Sequence, residues 1–362
     1  MRVKDLKWYS PFVFLVGAIL SFADPITDIL TLVEFYRADH RTWFGVGLTF
    51  VLLPCSAFPV VFCRLRVPLI ASPSSWAKTV LCALHPFSAA FARVEAVFFC
   101  LKRWWSGDEI DPDAEYVLNH IDLAVLFEAV LESAPQFIIQ LYAIIVQEEP
   151  ATIIQIISLP ISFLTLAWAF TATDKKSLAE REIIPSSGAL KVKHQLALYV
   201  SYLILLSSRL FAICYFTVSY KWWRIIGVLM FHLSCAVVIA TVIQNRDKVG
   251  CNSSYVLSTI LFTGIHCLRD DFVELSIGVQ VGGLTMSVYF SHIFFALENF
   301  FMIPMFYFTY NPNAWYSLPV TVSVSVFSVL GSTMRVCLVR WLCKKFASGS
   351  PPANSGDVNP CV

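Results

Sequence analysis

Four polar residues recur at every fourth position inside one long apolar segment: Glu128, Glu132, Gln136 and Gln140. The segment, LAVLFEAVLESAPQFIIQLYAIIVQ, is otherwise long and apolar enough to cross a bilayer. Side chains four residues apart lie on one face of an α-helix, so the pattern predicts a polar stripe about 18 Å long. Two carboxylates in hydrocarbon cost several kcal/mol unless they face protein or water. The stripe must therefore contact something polar.

The composition of the whole chain is that of an integral membrane protein. Hydrophobic residues make up 57% and charged residues 14%, whereas about 25% of an average soluble domain is charged. The net charge of +1 argues neither for nor against nucleic acid, and we expect no nucleic-acid partner. The sequence contains no H-E-x-x-H, G-x-S-x-G, Walker lysine loop or G-x-G-x-x-G. We therefore expect a non-enzymatic protein without ATP-driven pumping, and no cofactor or metal.

Long apolar stretches predict an all-α polytopic membrane protein with eight spans and two re-entrant helices. The predicted spans are residues 11–36, 43–63, 117–147, 151–171, 196–219, 225–243, 276–308 and 314–343. The predicted re-entrant helices are residues 76–100 and 254–268, which are shorter or less uniformly apolar. Positive charges concentrate in alternate connections, so this threading places both termini in the cytosol.

The threading also divides the chain into two halves of the same plan. Each half has two spans, one half-inserted helix and two more spans, which predicts a parallel internal repeat of the kind common in transport proteins. The predicted parts are an N-terminal repeat over 1–172, a basic cytosolic linker over 173–195, a C-terminal repeat over 196–346 and a disordered tail over 347–362.

Other polar residues fall inside the predicted spans. Span one carries Asp24 and Asp28 around Pro25, span five carries Arg209 and span seven carries Glu298. One interpretation is that these groups pair and hold helices together. However, four carboxylates in spans one and three face a single clear in-span cation, Arg209, so the excess predicts a wet groove, protonated acids or cationic substrate groups.

At these residues the sequence resembles the XK-related family. The resemblance rests on FADPITDILTLVEFY, TWFGVGLTFVLLP, FEAVLESAPQFIIQLY and FALENF, in that order along the chain. It implies a plasma-membrane protein of eight spans with two re-entrant helices. It also implies relatives that scramble phospholipids and expose phosphatidylserine on apoptotic cells. Some members require a single-span partner such as basigin, and XK itself pairs with Kell.

The resemblance also implies that several scramblase members are switched on when a caspase removes part of a cytosolic terminus, and this sequence departs from that pattern. The only D-x-x-D runs from Asp108 to Asp111 and is followed by Pro112, while Asp357 in the tail lacks an aspartate three residues earlier. Caspase processing is therefore not expected.

The favoured hypothesis is ATP-independent scrambling. In this process lipid head groups move along an intramembrane polar track while the acyl tails stay in the hydrocarbon core. The candidate track residues are Asp24, Asp28, Glu128, Glu132, Gln136, Gln140, Arg209 and Glu298. Acidic groups would meet the ammonium of the head group, and Arg209 would meet phosphate or hold the acids closed. Two alternatives remain open: a transporter or channel for a small solute, which predicts a sealed central site, and an interaction subunit.

Overall fold

A computed structural model describes residues 9–52, 87–106, 121–122, 125–180, 190–220, 284–310 and 315–347. These residues are helical apart from short turns, and no strand occurs among them. The helices are α1 (Ser10–Arg37), α2 (Ser88–Ser106), α3 (Val125–Val146), α4 (Ile153–Glu180), α5 (Val192–Tyr220), α6 (Leu284–Thr309) and α7 (Ser317–Ala347). Residues 41–52 are also helical.

Five of these helices are long and apolar enough to cross a membrane. The segments are Ser10–Arg37, Val125–Val146, Ile153–Lys176, Val192–Tyr220 and Ser317–Leu342. Their number and length are those of a multi-pass membrane protein, which confirms the predicted all-helical class. The count of eight spans with two re-entrant helices stays a prediction, since segments 225–243 and 254–268 lie outside the described residues.

The chain divides into two compact units, which we call unit 1 (Met1–Thr173) and unit 2 (Asp174–Val362). The division falls within α4, which continues to Glu180, and α5 begins at Val192. Both ends of the predicted linker over 173–195 are therefore helical. The predicted internal repeat is not tested by this division and stays a prediction.

Local sequence signals account for the ends of several helices. Thr152 and Gln155 form a capping box before α4, in which each side chain accepts a hydrogen bond from the other's backbone N–H, at 3.3 and 2.9 Å. After α1, Asp39 adopts a left-handed φ of 59°, a conformation that aspartate tolerates better than most residues. The turn at Asp39 then leads into the helical residues 41–52.

Helix α3 contains a π-helical turn, Ala129–Ser133, directly before Pro135. Proline has no N–H, and its ring clashes with the carbonyl four residues earlier in an ordinary α-helix. The wider turn relieves this conflict, with the Ala134 N–H bonding to the carbonyl of Ala129 five residues back. The predicted straight α-helical stripe is therefore interrupted between Glu128 and Gln136.

Each unit has its own packed contacts. In unit 1, α2 lies against α1, where Phe22 stacks on Phe87 and meets the edge of Phe91, with ring centroids 6.0 and 5.5 Å apart. In unit 2, α5, α6 and α7 pack on one another, and at one end Leu178, Leu190, Leu198 and Leu342 form a fully buried cluster. The polar residues of each unit therefore lie on helices that pack against one another.

Candidate functional site

The four residues of the predicted polar stripe are all buried in unit 1. Glu128 and Glu132 are 1% exposed, and Gln136 and Gln140 are 0% exposed. The apolar flanks of α3 provide this burial, and the π-helical turn sets the direction of Glu132 relative to the two glutamines. The stripe therefore contacts protein and not the surrounding hydrocarbon.

Asp24 of α1 is held by two hydroxyl groups from different helices. Ser133 at the end of the π-helical turn donates to Oδ2 at 2.6 Å, and Ser162 of α4 donates to Oδ1 at 2.6 Å. The aspartate and both serines are buried. Both hydrogen bonds join side chains of different helices, so these contacts hold α1, α3 and α4 together.

Asp28 lies one turn further along α1 and uses the same helices. Its Oδ1 accepts hydrogen bonds from Ser158 at 2.8 Å and from the amide of Gln140 at 2.9 Å. Ser162 is 3.3 Å from the same oxygen and so bridges the two aspartates. One member of the predicted stripe thus joins the predicted aspartate pair, in a group that we call the aspartate cluster: Asp24, Asp28, Ser133, Gln140, Ser158 and Ser162.

The three serines of the aspartate cluster were not among the candidate residues from the sequence. Ser158 and Ser162 flank Pro160 on α4 and are four residues apart, which places both on one face of the helix. That spacing matches the spacing of Asp24 and Asp28 on α1. A search for polar pairs with matching four-residue spacing in different spans would have found this contact.

Arg93 of α2 adds a positive charge to the core of unit 1. It is buried and donates to the carbonyl of Gly17 at 2.6 Å and to the hydroxyl of Ser21. Its charge attracts the carboxylate of Glu128. Arg93 falls in the predicted re-entrant segment 76–100 and was not among the predicted track residues.

Several oxygen atoms in this core have no hydrogen-bond donor within the part of the chain that the structure describes. They are Oδ2 of Asp28, both carboxylate oxygens of Glu128, and the amide oxygens of Gln136 and Gln140. Gln136 uses its nitrogen to donate to the carbonyl of Gly47 at 2.7 Å. These five oxygen atoms can accept hydrogen bonds, so this part of unit 1 offers acceptors to a ligand that carries donors.

The other two candidate residues, Arg209 and Glu298, lie together in unit 2. Arg209 is fully buried, forms an ion pair with Glu298 at 2.8 Å, and donates to the amide oxygen of Asn299 at 3.1 Å. Its guanidinium also lies 4.6 Å from the centre of the Phe295 ring, a cation–π contact. The two candidates are thus paired with one another within their own unit.

A second buried ion pair in unit 2 was missed by the sequence analysis. Arg335 of α7 contacts both carboxylate oxygens of Asp174, at 2.7 and 2.5 Å, and lies 4.8 Å from the ring centre of Tyr202. Arg335 falls inside the predicted span 314–343, so the expectation that Arg209 is the single clear in-span cation is wrong. Asp174 had been assigned to the linker because its helix was expected to end before it.

Comparison with known proteins agrees with the sequence motifs. A family model described as XK-related protein matches residues 12–344. The chain belongs to the XK-related family. Relatives include "XK-related protein 8" from Gasterosteus aculeatus, 28% identical over 173 residues, which is 43% of this chain and 42% of that protein. The protein of the same name from Tetraodon nigroviridis is 26% identical over 180 residues, covering 46% and 44%. Each alignment spans less than half the length of the curated relative.

In this XK-related protein the four acidic candidate residues of unit 1, Asp24, Asp28, Glu128 and Glu132, are all buried. The side chains of the aspartate cluster are buried, so the structure presents a sealed arrangement of this cluster. Among the described residues, no group of three or more His, Cys, Asp or Glu side chains could hold a metal ion. Any head group that reached these acids would require the helices around them to separate.

Proposed function

We propose that this XK-related protein moves phospholipids between the two leaflets of a membrane without ATP and so exposes phosphatidylserine. The observation that carries the proposal is the buried line of polar groups shared by α1, α3 and α4 in unit 1. A lipid head group needs such groups to cross about 30 Å of hydrocarbon. Family membership supports the proposal because the resemblance implies scramblase members.

The chemistry of the core suits a head group that carries a cation. Choline, ethanolamine and serine head groups all present an ammonium, and ammonium groups bind acceptor oxygens. The oxygens of Asp28, Glu128 and Gln140 that lack donors would supply such contacts. Arg93 would meet the phosphate of the same lipid, since a guanidinium binds phosphate with its fork of N–H donors.

The sealed aspartate cluster favours one rival, a transporter or channel for a small solute. A lipid whose acyl tails stay in the hydrocarbon core can reach a polar site only through a lateral opening in the protein. A small cation, by contrast, fits a closed site. In this conformation the buried side chains of Asp24 and Asp28 match a closed cation site. Scrambling therefore requires α1 to move away from α3 or α4, which would break the hydrogen bonds of Ser133 or Ser162.

Reconstitution of the purified protein into liposomes separates the two functions. The liposomes carry a trace of fluorescent lipid, and a membrane-impermeant reductant is added outside to bleach whatever reaches the outer leaflet. Scrambling predicts bleaching of the inner-leaflet lipid without ATP. A parallel measurement of cation flux tests the rival, and flux without lipid movement would refute the scramblase proposal.

A charge-neutral variant tests which residues form the track. We expect Glu128→Gln with Glu132→Gln to abolish lipid movement while the protein still reaches the membrane, because the change keeps the side-chain shape and removes two costly buried charges. The matched control is Glu148→Gln with Glu149→Gln, two exposed residues that follow α3. Full activity in the first variant would make the stripe a packing feature.

We also propose the cellular setting from the same family resemblance. The protein would reside in the plasma membrane with both termini in the cytosol and would assemble with a single-span membrane partner. Its activity would not depend on caspase processing, given Pro112 after the D-x-x-D sequence. Phosphatidylserine exposure by cells that express the chain, with and without a caspase inhibitor, would test this last point.

A further inference from the structure

A cluster of basic side chains lies at one end of unit 2, where α5 begins and α7 ends. Lys191 and Lys193 at the start of α5 are exposed, and so is Lys345 near the end of α7. The charges of all three lysines act on the buried His194. We call this group of Lys191, Lys193, His194 and Lys345 the basic patch.

The imidazole of His194 has one donor with no partner. The ammonium of Lys345 lies 3.3 Å from Nε2 of His194, and an ammonium can only donate, so Nε2 accepts and Nδ1 carries the hydrogen. Within the described ranges, Nδ1 has no hydrogen-bond partner, although His194 is only 4% exposed. A buried N–H without an acceptor among the described residues, on a ring that contacts the ammonium of Lys345, is suited to an anion.

Packing contacts hold two members of the basic patch, His194 and Lys345, in place. His194 meets the ring of Trp341 edge to face with centroids 5.0 Å apart, and Lys345 lies 4.7 Å from the same ring centre. Beneath them, Leu198 and Leu342 belong to the buried leucine cluster of unit 2. The positions of His194 and Lys345 are thus fixed by packing, which lowers the entropy lost when a ligand binds.

Helix length and aromatic position place the patch at the head-group level of a membrane. Helix α5 has 29 residues and is therefore about 44 Å long, which exceeds the roughly 30 Å of a hydrocarbon core. Trp341 is 45% exposed, and exposed tryptophan at a helix end prefers the membrane interface. A lipid head group beside this end of unit 2 would therefore lie at the depth of the basic patch.

We propose that the basic patch binds the phosphate of an anionic lipid head group. The lysines supply positive charge, the Nδ1–H of His194 supplies a buried donor, and the N-terminal end of α5 adds the positive end of its helix dipole. Clusters of basic residues next to a membrane span attract anionic lipids by about 1 kcal/mol for each lysine or arginine. The site is separate from the acidic core of unit 1 and does not depend on the proposed scrambling.

Thermal unfolding of the purified full-length protein in a neutral detergent tests the site. The probes are short-chain phosphatidic acid, short-chain phosphatidylcholine and inorganic phosphate, each added over the same concentration range. We expect phosphatidic acid to raise the unfolding temperature and phosphatidylcholine to leave it unchanged. An equal rise with inorganic phosphate would show that the patch binds a free anion and would overturn the assignment to lipid.

Variants locate the effect. Lys191→Gln, Lys193→Gln and Lys345→Gln combined should weaken phosphatidic acid binding about 100-fold, as expected for the loss of three interfacial lysines. The corresponding triple change to arginine should keep the binding, because it keeps the charge. A matched control removes three cations from unit 1 by Arg37→Gln, Arg41→Gln and Lys102→Gln, and should bind as the unaltered protein does.

Two outcomes would refute the proposal. One is equal stabilisation by phosphatidic acid and phosphatidylcholine, and the other is equal loss of binding in the glutamine variant and the unit 1 control. Glu128→Gln with Glu132→Gln should keep phosphatidic acid binding even though it abolishes lipid movement. Failure of the basic patch and failure of the polar track can therefore be told apart.

Discussion

The two units neutralise their buried charges in different ways. In unit 1, the carboxylates of Asp24 and Asp28 accept hydrogen bonds from serine hydroxyls and from the amide of Gln140. In unit 2, Arg209 and Arg335 contact carboxylates directly, at 2.8 Å and at 2.5 to 2.7 Å. A hydroxyl stabilises a carboxylate without cancelling its charge, whereas an ion pair cancels both charges.

This difference makes unit 1 suited to binding a ligand and unit 2 suited to supporting the fold. The aspartate cluster keeps acceptor oxygens, so it can still bind a cationic group. In unit 2 the buried Arg209 and Arg335 are each paired with a carboxylate. These ion pairs hold α5 against α6, and α7 against the C-terminal end of α4. Under the proposed function, unit 1 would make the contacts with the lipid head group, and unit 2 would depend on its ion pairs for stability.

The largest effect on stability should come from breaking the pair between Arg335 and Asp174. Arg335→Met leaves a buried carboxylate without its cation, which costs about 3–5 kcal/mol of unfolding free energy. The measurement is unfolding of the purified protein in detergent by heat or by a denaturing detergent. Adding Asp174→Leu to Arg335→Met should recover much of the loss, because neither member of this ion pair then leaves a buried charge behind.

An exposed ion pair provides the control for that experiment. Arg41 and Asp39 are 2.8 Å apart with side chains 79% and 80% exposed, so Arg41→Met should change stability by about 0–1 kcal/mol. If Arg335→Met cost no more than Arg41→Met, the ion pairs of unit 2 would not be its main support. The contrast between the two units would then be lost.

A smaller effect is expected when the aspartate cluster loses its shared hydroxyl. Ser162→Ala removes the donor that lies 2.6 Å from Asp24 and 3.3 Å from Asp28, and a lost hydrogen bond to a charged group costs about 1.5–3 kcal/mol. Ser207→Ala is the matched control, since Ser207 donates to the carbonyl of Ile204 in its own helix. Equal stability of the two variants would show that Ser162 does not hold the aspartates, and lipid movement can be assayed on the same samples.

Much of the helical framework was predictable because apolar runs of this length have few alternatives in a membrane. The predicted spans 11–36 and 196–219 agree closely with Ser10–Arg37 and Val192–Tyr220. The high cost of charge in hydrocarbon predicted that Glu128 and Asp24 face protein or water, and the structure buries both within protein. The role of these residues as a lipid track stays a prediction, because burial alone does not identify a ligand.

The partners of the buried charges could not be predicted because they come from distant parts of the chain. Ser162 is 138 residues from Asp24, and Arg335 is 161 residues from Asp174. Serine also occurs at many positions in membrane helices, so no single serine stood out. The π-helical turn before Pro135 carried a signal, since proline disturbs the preceding turn, but the pattern alone does not show how a helix responds.

The smallest effect should come from filling the contact between α5 and α7 in unit 2. A Cβ on Gly331 would lie 2.9 Å from both the backbone N and Cα of Leu205, and backbone atoms cannot rotate away as a side chain can. Gly331→Ala should therefore cost about 1–2 kcal/mol of unfolding free energy.

Gly47→Ala in unit 1 should cost less, because its methyl would meet the flexible end of Leu32. Gly45→Ala is the control, since no atom lies within 4 Å of its added Cβ, and it should be neutral or stabilising by about 0.5–1 kcal/mol. The reverse order, with Gly47→Ala more harmful than Gly331→Ala, would mean that unit 1 is the more tightly packed of the two and would contradict its assignment as the part that opens.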